Sequence, residues 1–114
     1  MTIEKRSGMR TVCPVLCAII VITASPIGPS GAQDQAKIDA GEAIFNDYCA
    51  TCHGQSLVSS GQTFDLRRLT ANDRARFQNS VLNGKNQMPP WKGVLGDDEI
   101  ERLWHYVRNN SYEK

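Results

Sequence analysis

Apolar positions recur at helical spacing along most of the chain from Gln35 onward. Ile38, Ala40, Ile44, Phe45 and Tyr48 fall on the spacings of a 3.6-residue period, and no proline interrupts Gln35 to Cys52. That pattern predicts an amphipathic helix. Asn72 to Asn83 repeats it with Phe77, Val81 and Leu82; Thr70 or Asn72 can cap the start, and Gly84 suits a left-handed position after the end. The third segment is the sharpest. Leu95 and Gly96 precede Asp97, Asp98 and Glu99, three acids placed at the positive end of a helix dipole. Leu95 and Ile100 then have the spacing of a hydrophobic staple, and Ile100, Leu103, Trp104 and Val107 line one face, with Arg108 in the last turn.

Between these helices the pattern breaks. Gly54 to Thr63 is rich in serine and glycine and reads as a surface loop. Phe64 to Leu69, FDLRRL, reads as an extended bend with two apolar anchors. Lys85 to Leu95 cannot be regular helix, because Pro89 and Pro90 remove the backbone donors. No segment alternates with period two, so the expected fold is all-α.

Composition changes this picture at the N-terminus. Lys5, Arg6 and Arg10 precede a mostly apolar run, Thr11 to Ala24; then come Pro26, Gly28 and Pro29, and the small residues Ser30-Gly31-Ala32. That order of parts belongs to a secretory leader. The run is shorter than the roughly 20 residues a membrane span needs. Residues 1–32 are therefore expected to be a cleaved signal peptide and residues 33–114 a single domain, exported to the periplasm. Cleavage takes Cys13 and Cys17 away and leaves only Cys49 and Cys52. It also turns a net charge of +1 into about −1, which calls for no nucleic acid and no stable membrane insertion. A domain this small needs more than its own core, such as disulfides, a metal or a large bound cofactor.

Candidate chemistry centres on residues 47–55, DYCATCHGQ. Three apart on a helical turn, Cys49 and Cys52 share one face, and His53 follows directly. Cys-x-x-Cys-His is a signature of covalent c-type haem attachment: two thiols add to the two vinyl groups of one haem while the histidine binds iron. Three other chemistries use such cysteines. A thioredoxin-like thiol pair wants a βαβ setting that is missing here. Zinc wants four ligands, and only Cys49, Cys52, His53 and His105 are at hand, without the usual spacing. A plain Cys49–Cys52 disulfide would close too short a loop to stabilise much.

Residues 35–110 resemble the class I c-type cytochromes. The resemblance rests on Gly41 eight residues and Phe45 four residues before Cys49, on Leu103 and Tyr106 in LWHYVR, and on Met88-Pro89-Pro90-Trp91 ahead of an acid-headed helix. It implies three to four short helices wrapped around one covalent haem c, an electron-transfer protein and no enzyme. It implies Cys49 and Cys52 as the attachment points and His53 and Met88 as iron ligands. Lys85, Lys92 and His105 are weaker candidates for the sixth position, His105 fitting a surface site better. Met/His ligation raises the reduction potential, as does burial among Phe45, Leu66, Phe77, Val81 and Leu82. Trp91 and Arg67 are candidate donors to the haem propionates. FDLRRL and NGKNQMPPW are similar to small periplasmic cytochromes that accept electrons from quinoprotein alcohol dehydrogenases. The expected partners are such a dehydrogenase as donor and an oxidase or reductase as acceptor, met by a monomer. The basic block Arg67, Arg68, Arg74 and Arg76 and the acidic block Asp97, Asp98, Glu99 and Glu101 would make the surface dipolar. The competing function is a gas-binding sensor or peroxidase-like haem enzyme with an open sixth site.

Overall fold

The computed structural model describes residues 30–114. The expected leader lies outside the described residues apart from its last three. Helix α1 spans Ser30–Tyr48, α2 Ala50–His53, α3 Arg74–Asn83 and α4 Asp97–Asn109. Among the described residues there is no β-strand, only the isolated bridges Lys85–Met88 and Lys92–Leu95. The all-α expectation holds.

Helix α1 begins five residues before the expected Gln35, yet its first two turns, Gly31 to Lys37, are exposed. Burial starts at Ile38 and deepens through Gly41 to Phe45, which is 1% exposed. This stretch crosses α4. A Cβ on Gly41 would stand 2.0 Å from the Arg102 carbonyl oxygen and 2.9 Å from the Tyr106 Cβ. Two backbones meet there with no room for a side chain. Just beyond, the Phe45 and Tyr106 rings pack with centroids 5.4 Å apart, tilted by 46°.

Helix α4 follows its pattern closely. Ile100, Leu103, Trp104 and Val107 are all buried, as is Tyr106 on the α1 side. Each such side chain contributes about 1.5–3 kcal/mol when taken out of water. Gly96 N–H donates to Glu99 Oε2 at 2.8 Å, so an orphan donor at the helix start is satisfied by an acid in the first turn. Leu95 and Ile100 sit in the same buried cluster, consistent with the staple. On the other side α3 approaches, with Phe77 and Trp104 centroids 5.1 Å apart.

Three local details differ from expectation. FDLRRL is not extended: Leu66–Arg68 forms a turn of 3₁₀ helix, because Asp65 accepts from the Arg67 N–H and caps it. Helix α3 is entered through a second 3₁₀ turn, Ala71–Asp73, where Asp73 Oδ2 accepts from both the N–H and the hydroxyl of Thr70. Gly84 has φ 75° but ψ 169°, so it is extended with a positive φ rather than left-handed helical. A Cβ there would meet the Met88 carbonyl oxygen at 2.6 Å.

Candidate functional site

Helix α1 ends where the chemistry starts. Cys49 leaves helical geometry (φ −120°, ψ −31°), although its N–H still bonds to the Phe45 carbonyl at 2.8 Å. Its own carbonyl accepts from Cys52 at 3.2 Å and from His53 at 3.0 Å. The kink therefore starts a fresh turn, Ala50–His53, without losing the ladder. Gly54 turns the chain out with φ 84°; a Cβ would lie 2.0 Å from the Val58 carbonyl oxygen. Only glycine fits both requirements, so the residue after the Cys-x-x-Cys-His motif is constrained as tightly as the motif.

The second part of the site is a tight turn. Lys85 and Met88 exchange backbone hydrogen bonds at 3.1 and 2.9 Å, with Asn86 at positive φ between them. Trp91 N–H then donates to Val81 O at 2.9 Å and Lys92 N–H to Leu82 O at 3.1 Å. These bonds use carbonyls that α3 leaves free at its C-terminus. Pro89 and Pro90, which have no N–H to satisfy, fill the span between.

Cys49, Cys52, His53 and Met88 all line one cavity of about 570 Å³. Its walls are largely apolar, with Phe45, Leu66, Phe77, Val81 and Leu103 among them. Leu82 packs on the core but does not line the cavity. Trp91 does, edge-on to Tyr48 at 5.3 Å. The rim is open: Tyr48 and Phe64 are 45% and 49% exposed. A hollow of this size and lining falls in the range of small-molecule and cofactor pockets. It occupies the place where a larger domain would have core. A flat, mainly apolar group with a metal at its centre fits these walls, two thiols, one imidazole and one thioether.

The electrostatics separate the competing chemistries. Burial, with Cys52 alongside, pushes the Cys49 thiol up to about 11. A reactive redox thiol needs the opposite shift. Burial also pulls the His53 imidazole below its ordinary value, against a backbone hydrogen bond with Phe64. A neutral imidazole is the form that binds metal. The Thr63 hydroxyl donates to Cys52 O at 3.1 Å and lies 3.5 Å from His53 Nδ1. Thr63 thus meets both Cys52 and His53, and nothing in the sequence pattern signals it across a ten-residue loop. Of the four residues a zinc site would have needed, Cys49, Cys52 and His53 line the cavity and His105 does not.

Other candidates fall elsewhere. His105 Nε2 sits 3.1 Å from Glu101 Oε1, half-buried on α4, and does not line the cavity. Lys85 lines the cavity and Lys92 does not. Arg67 is not among the lining residues: its Nε and Nη2 bond to Asp65 at 3.1 Å each, and its guanidinium stacks 4.9 Å over Tyr112. The lining arginine is Arg76, which sequence spacing did not single out. Three of the four arginines in the basic block are paired with acids. Arg74 pairs with Glu101 across the two blocks, Arg76 with Asp73, and Arg67 with Asp65.

Comparison with known proteins bears on the same residues. The family described as cytochrome C oxidase, cbb3-type, subunit III matches residues 36–107. Cytochrome c6 of Gracilaria tenuistipitata var. liui is 38% identical over 81 residues, which are 67% of this chain and 75% of that protein. Cytochrome c6 of Leptolyngbya boryana is 38% identical over 77 residues, 63% of this chain and 91% of its own length. Quinohemoprotein alcohol dehydrogenase ADH IIB of Pseudomonas putida is 32% identical over 80 residues, 68% of this chain but only 12% of that enzyme. No solved structure gives a significant match. The family match spans both the kinked α1–α2 junction and the Met88 turn, and with it this chain belongs to the class I c-type cytochromes, electron-transfer proteins with a covalently bound haem c.

Proposed function

We propose that the chain is a periplasmic one-electron carrier whose haem is attached through Cys49 and Cys52 and ligated by His53 and Met88. The observation that carries this reading is the convergence of those four side chains on one apolar cavity. When bound, the haem supplies an iron centre that gains and loses one electron. The chain's own residues do the rest. Two thiol attachment points keep the group from dissociating between partners. His53, held neutral by burial, offers a lone pair. Met88 is restrained by the Lys85–Met88 hydrogen bonds and by two prolines, which offsets the weakness of a thioether ligand. If His53 and Met88 both hold the iron, no open position is left on it for a substrate. Apolar walls disfavour the more highly charged oxidised state and so raise the reduction potential.

The proposed electron donor is a quinoprotein alcohol dehydrogenase, with a respiratory oxidase or reductase as acceptor. A stretch of the Pseudomonas putida quinohemoprotein enzyme 32% identical to this chain supports that assignment. A separate carrier of the same kind is suited to the same electrons. The leader expected over residues 1–32 supports export, and no described helix is long and apolar enough to cross a membrane. The carrier is a monomer. The test is the ferric and ferrous absorption spectrum of protein matured in the periplasm, wild type against Met88→Ala. Wild type should show the weak long-wavelength ferric band of iron–sulfur ligation, and the variant should lack it, with a lower midpoint potential. Rapid CO binding by the reduced wild type would sink the Met88 assignment and favour an open-site sensor. A donor role is checked by stopped-flow reduction with a quinoprotein dehydrogenase; no reduction above background refutes that partner.

A further inference from the structure

The cavity is apolar almost throughout, yet a haem brings two carboxylates along one edge. Buried carboxylates need a cation or water. Among the described lining residues two side chains carry permanent positive charge at neutral pH, Arg76 and Lys85. Lys85 belongs to the tight turn beside Met88. Arg76 lies on the first turn of α3, and its guanidinium carbon sits 5.4 Å over the Phe64 ring. Phe64 directly follows Thr63, which bonds the Cys52 carbonyl. Asp73 Oδ1 lies 3.4 Å from Arg76 Nε. No hydrogen bond among the described residues occupies its terminal nitrogens. The aromatic face and Asp73 therefore orient the fork while leaving its planar end free. That is the arrangement a carboxylate takes up in two parallel hydrogen bonds. Arg67, the arginine the sequence suggested, has spent its fork on Asp65.

We propose that Arg76 is the positioning residue for the anionic edge of the haem, its terminal nitrogens holding a propionate at the Phe64 rim of the cavity. This rests on the haem-carrier reading above. Arg76 acts through the propionate and does not touch iron. A cation there favours the reduced, less positive centre. It also holds the propionate ionised, so the potential changes with pH only where that carboxylate takes up its proton. The charged or titratable groups nearby are Asp73 beside Arg76, and Lys85 and His53 on the cavity wall.

The experiment is redox titration of matured protein from pH 5 to 9 for wild type, Arg76→Gln, Arg76→Lys, Arg67→Gln and Lys85→Gln. Arg76→Gln should lower the midpoint potential and move its pH-dependent step upward by about one unit, the low end of the effect of a nearby opposite charge, since the guanidinium is half exposed. Arg76→Lys should recover most of the potential, and Arg67→Gln, an equal loss of charge outside the cavity, should change neither quantity. An unchanged potential and step in Arg76→Gln, or the same shifts in Lys85→Gln instead, overturns the assignment. Mass spectrometry keeps the two levels apart. Covalent haem present with no Arg76 effect refutes this inference alone, whereas wild-type protein lacking covalent haem refutes the carrier reading and this inference with it. Arg76 is exposed on α3, and matching far-UV circular dichroism would show that the variant folds.

Discussion

Replacing Gly41 by alanine tests the helix crossing that supports the cavity. In an isolated helix the change would stabilise, by about 1 kcal/mol, because alanine is the better helix former. The crossing reverses that sign. The new methyl group would stand 2.0 Å from the Arg102 carbonyl oxygen, where ordinary contact begins at 3.4 Å. That oxygen belongs to the backbone of α4, so no side-chain rotation can relieve the overlap. The helices must separate by about 1.4 Å along that contact. A gap of even 0.5–1 Å forfeits roughly a quarter to a half of each dispersion contact. The Phe45–Tyr106 packing directly beyond the crossing is exposed to that loss. Overpacking of this kind costs about 1–3 kcal/mol, and a net destabilisation of about 2 kcal/mol is expected. In guanidinium, with a slope of about 3 kcal/mol/M, the midpoint should fall by about 0.7 M. The assay is equilibrium denaturation of matured protein, followed by far-UV circular dichroism and by haem absorbance. Ala43→Gly, on the exposed face of the same helix, isolates the propensity effect and should cost about 1 kcal/mol. A Gly41→Ala midpoint at or above wild type would falsify the close-crossing argument.

Two further outcomes follow from local geometry. Gly84→Ala forces a side chain into positive φ and against the Met88 carbonyl oxygen, so the Met88 turn should shift; the long-wavelength ferric band should weaken and the midpoint potential fall, whereas an unaltered spectrum would contradict this. Asp65 is held below its ordinary value chiefly by its hydrogen bond with Arg67, with further help from the Arg67 N–H and the Tyr112 hydroxyl. A carboxylate depressed in the folded state adds stability above its unfolded value, near pH 4, that is lost as pH falls through the folded one. Acid titrations should therefore show Asp65→Asn less stable than wild type at pH 6, with the gap closing below about pH 4; a constant gap at all pH values would remove Asp65 from acid unfolding.

Much of this protein was legible in one dimension. Helix α4 could be read almost residue by residue, because its cap, first-turn acids and apolar stripe are local signals that the packed helix also uses. Cys49, Cys52 and His53 lie within one turn, so their spacing alone implied a shared direction. The haem resemblance rested on that motif together with Gly41, Phe45, Met88 and Tyr106. Gly41 and Gly84 could be marked as glycines, but why each must be one depends on a backbone that arrives from far along the chain: Arg102 in one case, Met88 in the other.

Charge was the least legible property. Four arginines close in sequence looked like one basic patch, yet Arg67 and Arg68 lie on the 3₁₀ turn Leu66–Arg68 and Arg74 and Arg76 on α3. Asp65 takes Arg67, Glu101 reaches Arg74 from 27 residues away, and Arg76 alone of the four lines the cavity. The sequence by itself determined the helical class, the covalent haem and the family, because each rests on residue type at short spacing. Which polar side chain meets the cavity, and which two helices may touch, were decided only by the tertiary structure. Those outcomes depend on distances between segments that no local pattern encodes.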